Sequence, residues 1–284
     1  MTTTYTAITC RPMREDDLPA AHALSQAVRW PHRPEDWQFA LRLGTGFVAE
    51  EDGAVAGTAL CWHQGAHHGS LGLIIVSPAH QGKGIGRRLM HLVLDQLGDR
   101  CTVLNATVAG QPLYESLGFR AIGTLHQHQG LLAAATAPAA PAEARARPAT
   151  AADIPAIVAL ANRGTGMVRD ELLKHLIGVA EGAVLEQDGA VTGFSLIRPF
   201  GRGHVIGPVV AADAECAQAL IATWGDAYAG AFVRLDVTGS SGLGEWLAQA
   251  GLAEVDTAVT MARHGVPAQD ATVRQFAIVS QALC

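Results

Sequence analysis

The stretch SPAHQGKGIGRRLM, residues 77–90, sets Gly82, Gly84 and Gly86 at alternate positions beside Lys83, Arg87 and Arg88, directly after the apolar run Leu71 to Val76. A continuous apolar run of that length reads as a buried strand, and the spacing of Ile85, Leu89, Leu92 and Val93 predicts an amphipathic helix over Gly84 to Leu97. Glycines at such a junction let the backbone curl until successive N–H groups face one anion, where the helix dipole also favours negative charge. A pyrophosphate fits that description. A dinucleotide fingerprint is excluded because Leu89 stands where it needs its third glycine. A Walker loop is excluded because Gly84 follows Gly-Lys where Ser or Thr is required.

Working outward, a strand is predicted at Ala7 to Arg11, a helix from Glu15 and another over Arg33 to Leu43. Gly46 to Glu50 and Ala54 to His63 form a predicted hairpin closed by Asp52-Gly53, a pair that supplies the positive φ of tight turns. Thr102 to Ala106 is a further strand, and a short helix over Pro112 to Leu117 stops at Gly118. The chain then repeats itself. RPMREDDLPAAHAL from Arg11 matches RPATAADIPAIVAL from Arg147, and VAEEDGAVAG from Val48 matches VLEQDGAVTG from Val184, both at an offset of 136. Two copies of one fold are the economical explanation. Residues 133–146, which lack bulky core-forming side chains, divide a first domain, 1–132, from a second, 147–284.

Composition sets the outer limits. With 284 residues, 49% hydrophobic and 16% charged, the chain has the means to bury more than one core. A net charge of −6 argues against nucleic acid as a partner. In residues 1–132, 10 Lys or Arg stand against 11 Asp or Glu, which gives no partner signal. The start of the chain has no basic segment followed by an apolar one, and no run of apolar residues is long enough to span a bilayer, so a cytoplasmic protein without a membrane partner is expected. The five cysteines, at 10, 61, 101, 216 and 284, have no paired spacing and read as reduced thiols. The segment WHQGAHH, Trp62 to His68, lacks Cys or carboxylate at ligand spacing, so no metal is expected.

The segment QGKGIG, Gln81 to Gly86, resembles the Q/R-x-x-G-x-G/A loop of the GNAT superfamily of acyl-CoA N-acyltransferases. VLNATVAGQPLYESLGF, Val103 to Phe119, is similar to that family's strand, tyrosine and Gly-Phe pair in order and distance. WPHRPEDW and HQHQG extend the resemblance to a bacterial subgroup with a catalytic GNAT domain followed by a degenerate one. The resemblance implies an α/β (α+β) fold of two tandem GNAT-like domains, each a mixed, mostly antiparallel central sheet flanked by helices. It implies acetyl-CoA as cosubstrate, with its pyrophosphate on Gln81, Gly82, Lys83, Gly84, Ile85, Gly86 and Arg87. Pantetheine would lie along Ile74, Ile75 and Val76 as an added strand. An N–H near Ile74 or Ile75 would stabilise the oxyanion, and Tyr114 corresponds to the tyrosine that protonates the departing thiolate.

The implied reaction is acetyl transfer to a primary amine by direct attack in a ternary complex. The competing reading is a noncatalytic acyl-CoA-binding sensor, which would bind without releasing CoA. Tyr114 also reads as a core tyrosine opening a helix. Trp30 and Trp37 either wall an acceptor pocket, with Asp36 attracting the amine, or belong to a helix start in which Pro34 opens the helix and Trp37 is core. His126 and His128 alternate onto one strand face, and His128 is an acceptor-site candidate; no general base is legible. The acceptor is a small-molecule or peptide amine, and a homodimer is left open. In the second copy, Ala212, Ala214 and Ala217 replace the glycines, Asp213 and Glu215 add negative charge, and Leu247 falls where Tyr114 stands. That half is expected to be noncatalytic, either completing the acceptor pocket or covering a sheet edge.

Overall fold

The structure, a computed structural model, describes residues 8–133 and 144–284. Its first half runs β1 (Thr9–Pro12), α1 (Leu18–Ala27), α2 (Pro34–Leu43), β2 (Thr45–Glu51), β3 (Ala54–Gln64), β4 (His68–Val76), α3 (Ile85–Leu97), β5 (Cys101–Ala106), α4 (Gln111–Ser116) and β6 (Arg120–Leu131). The second runs β7 (Ala144–Pro148), α5 (Ile154–Thr165), α6 (Asp170–Ile177), β8 (Glu181–Gln187), β9 (Ala190–Phe200), β10 (Gly203–Ala211), α7 (Ala214–Ala222), β11 (Phe232–Thr238), α8 (Gly244–Gln249), β12 (Ala253–Arg263) and β13 (Arg274–Ala277). Most of the expected linker, residues 134–143, and Ala7 lie outside the described residues; Ala144 to Ala146, also expected in the linker, instead begin β7, which pairs with β8. No helix among the described residues is long and apolar enough to cross a membrane.

The repeat in the sequence is a repeat in the structure. Arg11 grips both carboxylate oxygens of Asp17, each at 2.8 Å, and donates its Nε to Glu50; Arg147 does the same to Asp153 and Glu186. These hydrogen bonds from arginine hold the Asp17 and Asp153 carboxyls below their ordinary value of 3.8. The hairpin turns also match, with Asp52 and Gly53 at φ 52° and 77°, and Asp188 and Gly189 at φ 50° and 76°.

The strands form one sheet in the order β1-β2-β3-β4-β5-β12-β6-β11-β13-β10-β9-β8-β7. The halves have exchanged their long late strands: β12 of the second half lies against β5, and β6 of the first lies between β12 and β11. Each half therefore completes the other's sheet. The buried face of α3, including Ile85, Leu89, Met90 and Val93, packs on Phe47, Ala59, Leu71 and Leu104. A second cluster crosses the halves, joining Met13, Ala21 and Trp37 to Leu160, Leu172 and Phe194. At about 1.5–3 kcal/mol for each large apolar side chain buried, that shared cluster alone resists separation.

Candidate acyl-CoA site

β4 and β5 are parallel and paired only from His68–Ser70 to Cys101–Val103, after which they part. On its other side β4 remains paired with β3 through Val76, with a register shift between Thr58 and Leu60. That irregularity holds Leu73 at φ 53°, with its carbonyl accepting from Thr58 Oγ1 at 2.8 Å. Ile74, Ile75 and Val76 thus lie on a strand whose inner edge has no strand partner among the described residues, a template for an extended ligand.

At the end of that edge, Gly82 and Gly84 both take φ 77°. A Cβ at either would meet nothing within 4 Å, so glycine is required there by the left-handed backbone and not by crowding. Gly86 has no positive φ, and a Cβ there would make ordinary contact with Leu113. Gly84 caps α3 without any side-chain bond, and the first turn carries no acidic residue. The free N–H groups and the helix dipole are both left facing outward. Arg87 reaches Ser116 Oγ at 3.0 Å beside the loop, whereas Lys83 extends toward Glu51 and does not line the cavity. Gln81 Nε2 donates to the Val76 carbonyl at 3.2 Å, tying the loop to the strand.

Tyr114 lies in α4 with its ring edge-on to Phe119. It is 7% exposed, lines the same cavity, and burial pushes its hydroxyl up to about 12, so it keeps its proton at neutral pH. Gly110 makes room for the ring, since a Cβ there would sit 2.9 Å from Tyr114 Cε2.

The cavity, about 1310 Å³, continues past Asn105 to a wall built from both halves: Trp30 and His32 on the α1–α2 connection, Gln127 and Gln129 on β6, and Phe200, Arg202 and Arg234 from the second half. Burial pushes the His32 imidazole down to about 4, and its ring lies edge-on to Trp30, Trp37 and Phe200. Three candidates lie elsewhere. Trp37 is fully buried, with Nε1 on Ser25 Oγ, which is the core alternative. Asp36 is buried and committed to structure: Arg33 and the Gly201 N–H donate to it, and Arg198 is 3.7 Å away. His128 is 2% exposed, with Nδ1 on the Leu252 carbonyl, so the face of β6 toward the cavity carries Gln127 and Gln129 instead.

Family models described as "Acetyltransferase (GNAT) family" and "Acetyltransferase (GNAT) domain" match residues 11–119 and 157–277. The chain belongs to the GNAT acetyltransferases. It is 28% identical over 161 residues to an uncharacterised N-acetyltransferase, YitH, of Bacillus subtilis, a match that spans 54% of this chain and 54% of that relative's length. A solved Pyrococcus horikoshii structure superposes with TM-score 0.79 at 17% identity, over 100% of this chain and 99% of the other. A tandem GNAT protein from the clavulanic acid biosynthesis pathway does so with TM-score 0.64 at 15% identity, over 90% and 98%. At these identities the structures speak for the fold alone.

The second GNAT domain has the same parting strands, but its notch is full. β10 and β11 pair at His204–Val205 and Val233–Arg234, and beyond that β13 enters between them. Ala277, Gln275 and Arg274 pair with Val209, Val210 and Ala211, the counterparts of Ile74, Ile75 and Val76. The start of α7 is also satisfied internally, because Asp213 accepts from the Cys216 N–H at 2.8 Å. Leu247, at the fourth position of α8 as Tyr114 is of α4, is fully buried.

Proposed function

We propose that this GNAT protein transfers the acetyl group of acetyl-CoA to a primary amine of a small molecule or peptide, by direct attack within a ternary complex. One observation carries the reading: a strand edge without a strand partner among the described residues, a glycine-rich helix start with no side-chain cap and the Tyr114 ring, all of the first half, border one cavity. The fit to acetyl-CoA as substrate is chemical. Amides from Gln81 to Arg87 suit a diphosphate, and the edge at Ile74 to Val76 suits the pantetheine amides. A strand N–H near Ile74 or Ile75 stabilises the oxygen that gains charge. The amine forms the C–N bond and the C–S bond breaks; one amine proton leaves to solvent, Tyr114 supplies the proton to the departing sulfur, and the phenolate regains a proton from solvent. The acceptor enters from the wall shared by both halves. A panel of amines, read by CoA release and by the mass gain of the acceptor, tests this. Release with at least one amine supports it, and CoA binding without release across the panel refutes catalysis.

A further inference from the structure

We propose that Gln281 and Ala282, from the last stretch of the second half, form the floor of the acyl site in the first half and restrict the acyl group to a short chain. The proposal rests on the acyl-CoA reading above. It also gives the second half a task that its own filled notch does not suggest.

A thioester ligand running from the loop at Gln81 along Val76 and Ile74 has its acyl end directed toward the point where β4 and β5 converge, near Gly72 and Asn105. That point is already occupied. Asn105 Nδ2 donates to the Gln281 carbonyl at 3.1 Å, and a Cβ built on Gly72 would lie 2.7 Å from Ala282 Cα. Both Gln281 and Ala282 keep part of their surface in the cavity.

The floor is held from beneath and from the side. Arg169, 1% exposed, donates to the Leu283 carbonyl at 3.1 Å and to the Cys284 carbonyl. Gln281 Nε2 contacts Asp236 Oδ1 at 3.3 Å and Gln127 Oε1 at 3.4 Å. A surface fixed at both ends cannot retreat from a longer chain without breaking buried hydrogen bonds, so each added methylene meets the Ala282 methyl group and backbone.

The test uses the full chain and calorimetric titration with CoA, acetyl-CoA, propionyl-CoA and butyryl-CoA. The wild type should bind butyryl-CoA about tenfold or more weakly than acetyl-CoA, in line with what one or two methylenes change in a closed apolar site. Ala282→Gly should shrink that gap at least about threefold, and Ala282→Val should weaken acetyl-CoA while leaving free CoA unchanged. Acyl-length-independent binding in the wild type, or profiles that neither variant alters, would overturn the floor. Absence of CoA binding to the wild type would instead sink the acyl-CoA reading itself, so the two failures are distinguishable.

Discussion

Replacing Gly84 by alanine isolates the backbone requirement of the loop. The residue sits at φ 77°, and its Cβ would touch nothing within 4 Å, so the substitution adds no clash and only a conformational cost. For a residue with a Cβ, the left-handed region costs about 1–2 kcal/mol. If the ligand-free loop keeps its shape, that energy appears as lost stability, at about 2–4 °C of melting temperature per kcal/mol. Relaxation of the loop instead makes the ligand restore it, and CoA affinity falls by about five- to thirtyfold. Calorimetric titration with CoA beside a thermal melt reads both routes, and together they account for the cost. Gly123→Ala on β6 is the control: its φ is not positive, its Cβ would meet nothing within 4 Å and it does not line the cavity, so affinity should stay at the wild-type value. Wild-type affinity together with wild-type melting for Gly84→Ala, or equal damage from both substitutions, refutes the reasoning.

Tyr114→Phe should lower kcat by about a hundredfold to ten-thousandfold, the usual contribution of a positioned acid, with CoA affinity unchanged by titration. Because burial holds this hydroxyl near 12, the wild-type rate should show no alkaline fall from loss of its proton before pH reaches that region; a tyrosine-dependent fall near pH 9 contradicts the assignment. Asp36→Ala should destabilise the chain by about 3–5 kcal/mol in chemical denaturation, because it leaves the buried Arg198 unpaired. Burial alone would raise the Asp36 carboxyl, but hydrogen bonds from Arg33 and the Gly201 N–H outweigh it and hold the carboxyl below 3.8. Its stabilisation is therefore present above that value and lost as pH falls through the lower folded value, and Asp36→Asn should flatten this acid limb. Asp213→Ala should cost about 1 kcal/mol through the lost cap of α7, with acetyl transfer unchanged in a CoA-release assay.

What the sequence made legible was what local chemistry dictates. Asp52-Gly53 and Asp188-Gly189 could close only tight hairpins, and Gly84 marks a left-handed position that few other residues tolerate. The replacement of the loop glycines by Ala212, Ala214 and Ala217, with Asp213 and Glu215 adding negative charge, likewise announced a helix start that repels an anion; that Asp213 also caps α7 is what the structure adds. Strand neighbours were not legible. The alternation along β6 was read correctly, but which face meets the cavity depends on packing against β11 and β12, and the opposite phase brings Gln127 and Gln129 inward while His128 is buried. Nothing in RQFA, Arg274 to Ala277, states that it fills a notch between β10 and β11; a four-residue strand acquires its meaning from the edges that receive it. Arg202, Arg234 and Ala282 were missed for the same reason, since the second half reaches the site only through the strand exchange. Trp37 was undecided because one helix start can present an aromatic ring to a core or to a pocket with the same local sequence.

The most direct measurement is a crystal structure of the full chain with acetyl-CoA. The diphosphate is expected on the amides between Gln81 and Arg87, with the thioester arm along Ile74 to Val76 and the sulfur beside Tyr114. A thioester bound at the α7 end of the second domain, or a first-domain notch that stays closed to it, contradicts the account.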